Sequence, residues 1–65
     1  MTRFRDDDRV TVTDTTSRHY NEVGVILTHQ LSFNHGEPLW WVELDGREGE
    51  WFLGTQLELG DLSRA

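Results

Sequence analysis

The sequence predicts a small all-β domain, a closed barrel of about five strands. Three observations carry that expectation: short apolar and polar alternations separated by turn signals, no stretch with helical period, and a length of 65 residues. A two-sheet sandwich takes about 100 residues. One strongly bent sheet that closes on itself buries a single small core and removes its own edges. The barrel is expected over residues 8–60, between flexible tails at 1–7 and 61–65.

The elements follow in order. Arg9-Val10-Thr11-Val12-Thr13 alternates two valines with strand-tolerant polar residues, so Val10 and Val12 should share a buried face. Residues 14–21 are polar and without period, a long loop in which Tyr20 is expected to fold back over the core. Val23-Gly24-Val25-Ile26-Leu27-Thr28 reads as a second strand, with Gly24 marking a bulge or a close backbone approach. The segment 32–38 has the Asn, Gly and Pro content of a loop. In Leu39-Trp40-Trp41-Val42-Glu43-Leu44, Trp40, Val42 and Leu44 fall on one face and Leu39, Trp41 and Glu43 on the other, which Glu43 marks as wet. Asp45-Gly46 is a hairpin signal leading to Glu50-Trp51-Phe52-Leu53. A turn of 3₁₀-helix at Gly54-Thr55-Gln56 precedes the last strand, Leu57-Glu58-Leu59.

Two resemblances lie on this layout, and both imply an SH3-like barrel. The segment Val10-Thr11-Val12, eight loop residues, then Asn21-Glu22-Val23-Gly24-Val25 resembles the start of the PsaE family, the photosystem I reaction-centre subunit IV. With the Pro before the third strand and the leucine-acid pair near the C-terminus, that likeness spans residues 8–61. It implies an accessory subunit held in a larger complex. The second half resembles SH3 domains: Trp40-Trp41, then Gly46-Arg47-Glu48-Gly49, then Trp51-Phe52, then Leu57-Glu58-Leu59. Leu53 and Gln56 stand where SH3 domains place the Pro and Tyr of their proline-rich ligand groove, so the fold carries over and the polyproline ligand does not.

Charge narrows the partner. The chain has a net charge of −6 and no lysine, and residues 36–65 hold seven of the twelve acids. Such a chain repels nucleic-acid backbones, anionic lipid and an acidic docking partner. A protein partner with a basic or apolar surface fits better, and a small acidic inhibitor that mimics nucleic-acid charge is a further reading. The longest apolar run, Leu39 to Val42, is too short to span a bilayer, and the N-terminal residues lack the apolar stretch of a secretory signal, so a cytoplasmic protein is expected. Without cysteine there is no thiolate metal site and no thiol nucleophile.

The sequence offers no nucleophile paired with a base, no carboxylate pair and no phosphate loop, so catalysis and a cofactor are not expected. His19, His29 and His35 have no repeated ligand spacing and read as surface histidines, while Asp6-Asp7-Asp8 reads as a solvated acidic terminus; no metal is expected. The candidate binding residues are Trp41 and Glu43 on the outer face, with Trp51, Tyr20 and Phe33 as further aromatic contacts. A cover from the N-terminal arm, through Phe4, or from the Phe33 loop would remove Trp41 from that role. Trp51 and Phe52 are adjacent and must point to opposite faces; alternation leaves open which is core.

Overall fold

A computed structural model describes residues 4–32 and 36–62. Phe33, His35, the tip of the expected 32–38 loop and the outermost residues of both tails lie outside the described residues. Five strands form one antiparallel sheet: β1 (Arg9–Val12), β2 (Val23–Ser32), β3 (Glu37–Leu44), β4 (Gly49–Leu53) and β5 (Leu57–Leu59), with a 3₁₀ turn at Gly54–Gln56. Its hydrogen-bonded order is β4-β3-β2-β1-β5, which leaves β4 and β5 as the two edges. No described helix is long and apolar enough to cross a membrane.

The inner face collects Val10, Val12, Ile26, Trp40, Val42, Leu44, Phe52 and Leu57, the alternate residues of each strand. Phe4, counted with the N-terminal tail in the sequence reading, joins this core and packs edge-on against Trp40, with ring centroids 5.3 Å apart. The arm is tied down by two backbone bonds, from Asp7 N–H to the Ile26 carbonyl at 2.7 Å and from Ile26 N–H to the Asp8 carbonyl at 2.9 Å. The acidic run beside it turns the chain, since the Asp8 carboxylate accepts the Arg5 N–H at 2.8 Å and Asp7 takes a φ of 74°. Burying each of these large apolar side chains contributes about 1.5–3 kcal/mol.

β2 is longer than the alternation suggested, because its second half pairs with β3 through polar residues that show no apolar period. The register of β2 on β3 shifts between Ile26 and Thr28, so the bulge sits at Leu27 and not at Gly24. Gly24 is instead a site of close approach. A Cβ there would lie 2.5 Å from the Glu43 carbonyl oxygen and 2.7 Å from Val42 Cγ1. Before the bulge β2 pairs with both β1 and β3, whereas Thr28 to Ser32 pair with β3 alone. Pro38 belongs to β3 although proline suits no central ladder. It is tolerated because β4 makes its last pair at Leu39 and Leu53, so no described strand flanks Pro38 on that side.

Residues 60–62 dock on β1 at Thr11. Thr11 is almost fully buried there, donates its hydroxyl to the Gly60 carbonyl at 2.7 Å and accepts the Leu62 N–H at 2.9 Å. Residues 60–62, partly assigned to a loose tail by composition, are docked through that one side chain.

Candidate functional site

The outer face at the other end of the sheet is finished with aromatic rings. Cross-strand pairing sets Trp41 opposite Trp51 and Trp40 opposite Phe52. Since Trp40 faces the core, Phe52 must as well, and it is 3% exposed while Trp51 is 40% exposed. The Trp41 and Trp51 rings meet edge-to-face at 5.2 Å and 68°, a geometry that adds about 0.5–1.5 kcal/mol beyond burial. Trp41 is half-buried, lying against Gly49, where a Cβ would come within 2.6 Å of its indole. Glu43, exposed and opposite Gly49, ends the Trp41 row. The cover anticipated from Phe4 is absent, since that ring packs against Trp40 on the opposite face.

The long loop behaves differently from its expected role. Tyr20 points outward, 52% exposed, and makes no ring contact with either tryptophan of the pair. The residue that folds inward is its neighbour His19, 8% exposed, whose ring stands edge-on to Phe52 at 6.1 Å. A surface assignment for His19 is therefore corrected; His29 is exposed and lies beside Trp40 and Asp6. Burial of His19 is stabilised by a partner on each ring nitrogen: Glu22 at Nδ1, 3.2 Å away, and Glu50 at Nε2. Arg18 reaches Glu50 at 3.6 Å and Arg47 reaches Glu22 at 3.2 Å. The network links the loop to β4 and to the β3–β4 turn. Around it opens a concavity of about 480 Å³, lined by Arg18, His19, Arg47, Glu48, Gly49 and Glu50.

A second link joins the start of the same loop to the end of β4. Gln56 accepts the Leu53 N–H through Oε1 at 2.8 Å and donates through Nε2 to the Asp14 carboxylate at 2.8 Å. The Thr16 hydroxyl, the Gln56 amide and the Thr16 N–H together hold the Asp14 carboxyl below its ordinary value. Among the described residues, no group of three or more His, Asp or Glu side chains is arranged to hold a metal ion.

The sequence-predicted residues thus divide. Trp41, Trp51 and Glu43 share one surface, Tyr20 stands apart from the ring pair on the loop, and Phe33 lies outside the described residues. Sequence reasoning missed the His19, Glu22 and Glu50 cluster. Only the three-residue spacing of His19 and Glu22 hints at it, because Glu50 is 31 positions away from His19. No family model, no curated protein and no solved structure matches the chain.

Proposed function

We propose that this chain is a small non-catalytic protein-binding module on an SH3-like barrel, and that it meets its partner through the outer face of β3 and β4. The single observation behind the binding reading is the crossed Trp41 and Trp51 pair, half-exposed on a sheet face and bordered by Glu43. Aromatic side chains with little entropy to lose dominate interface energetics. An acidic neighbour selects a basic or apolar counterpart and steers its approach. Strand order, the bend of β2 at Leu27 and the 3₁₀ turn before β5 support the barrel reading, since they carry one sheet around a single core.

Immobilised chain incubated with extract from the native source tests the reading. Proteins retained by the parent chain should be lost with Trp51→Ala, whose exposed ring contributes little to the fold, at a cost of about 2 kcal/mol in affinity. Glu43→Arg should mainly slow association and alter its salt dependence. An identical set of retained proteins for the parent chain and Trp51→Ala would remove the tryptophan face from function.

A further inference from the structure

We propose that the partner binds as an extended strand added to the free edge of β4, in the slot between that edge and the 13–22 loop, with an apolar residue over Trp51 and a basic residue two positions along. This deepens the protein-binding reading above and rests on it.

The backbone directions come from the ladder. In an antiparallel strand the N–H and C=O of one residue point to the same side, and successive residues alternate. Leu53 gives its N–H to the Gln56 side chain and not to β3. Trp51 and Gly49, two and four residues earlier, therefore also direct their backbone groups to the free edge. β4 is the last strand in the hydrogen-bonded order, so no described strand receives them. Edges of this kind are usually blunted by Pro, Lys or a bulge. β4 contains neither Pro nor Lys, and its register on β3 runs unbroken from Gly49 to Leu53.

The 13–22 loop leaves this edge open. It is fastened near the end of β4 at Gln56, by the Thr13 N–H donating to the Gln56 carbonyl at 2.9 Å and by the Asp14 carboxylate, and along β4 by side chains alone, through His19 and Arg18 at Glu50. No described backbone bond joins the loop to β4. Beside Gly49 lies the concavity of about 480 Å³, within the size range of ligand sites. A strand laid there has a floor of unpaired backbone groups and a wall of loop side chains, the arrangement used in β-strand addition.

Charge and shape choose the occupant. Arg18 and Arg47 are each paired with a glutamate, whereas Glu43 and Glu48, which flank Gly49, have no ion-pair partner among the described residues. The uncompensated charge at this end of the edge is negative. A basic side chain opposite Gly49 meets Glu43, and an apolar one opposite Trp51 extends the row of rings. A second copy of this chain would bring its own net charge of −6 to the same place and is disfavoured.

The test uses a blocked hexapeptide of threonines carrying one isoleucine and, two residues on, one arginine. It is titrated to millimolar concentration into ¹⁵N-labelled chain. The Gly49 and Trp51 amides should shift and become protected from exchange. Methylating the peptide nitrogens that face β4 should weaken binding by about tenfold or more, and glutamate in place of arginine should do likewise. Glu43→Gln with Glu48→Gln should reduce the preference for arginine without unfolding the chain. Undiminished binding of the methylated peptide, or no response at Gly49 and Trp51, overturns strand addition. If binding then still falls with Trp51→Ala, the tryptophan face stands and only the pairing fails. Shifts at Gly49 and Trp51 that grow with protein concentration and without peptide would name a second copy as the occupant and overturn the proposal.

Discussion

The outer face of the sheet is finished in two ways. Over β1, the chain's own residues 60–62 form the cover, held by the buried Thr11 hydroxyl. Over β3 and β4 two indole rings shield the backbone and remain open to solvent themselves. The first arrangement satisfies polar groups internally and presents nothing new. The second leaves apolar area and unpaired strand backbone together. A small domain has too few residues to cover every face, and the face it leaves bare is the one with most to offer a partner.

Gly24 joins the two ends, because at that residue β2 pairs with β1 on one side and β3 on the other. Gly24→Val should have the largest effect, about 3 kcal/mol of destabilisation in chemical denaturation, since its Cβ would meet the Glu43 carbonyl and the Val42 side chain. Equal stability would mean that the halves are not held in close contact there. Thr11→Val tests the covered end. With both hydrogen bonds lost, we expect about 1–2 kcal/mol and faster exchange of the Leu62 amide, with the tryptophan face unaltered. At the open end the expected change is smallest. Trp41→Ala, which uncovers Gly49, should cost about 1 kcal/mol, and Trp51→Ala about 0.5 kcal/mol. Either substitution should abolish the coupled indole signal in the far-ultraviolet circular dichroism spectrum. Persistence of that signal in either variant would show that the rings do not face each other.

Period-two alternation was sufficient to find Val10, Val12, Trp40, Val42 and Leu44, because each lies in a strand with one wet face. It could not rank Trp51 against Phe52, two large aromatic neighbours; only the pairing of Phe52 with Trp40 decides between them. The tail of β2 was hidden by its composition, since Thr28 to Leu31 gain their place from ladder bonds to β3 and bury little. His19 was illegible for another reason. A histidine is buried when both ring nitrogens are satisfied, and although Glu22 is three residues away, nothing local announces Glu50. Phe4 gave no strand signal because it enters the core from an irregular arm.

The Leu27 bulge acts as a shift of reading frame. Upstream, the even-numbered residues Gly24 and Ile26 face inward; downstream it is the odd-numbered His29 that packs on Trp40, while Thr28 is opposite the outward Trp41. Drawing Leu27 into the regular ladder, opposite Trp41, would leave every residue of the hairpin arm in place chemically and invert what each one faces. His29 would be turned out and Thr28 turned in against an indole. The side chains of half of β2 thus have meaning only relative to one spare residue, so a homologue that kept this residue but paired it regularly would need a different set of residues on the arm to keep the same surface.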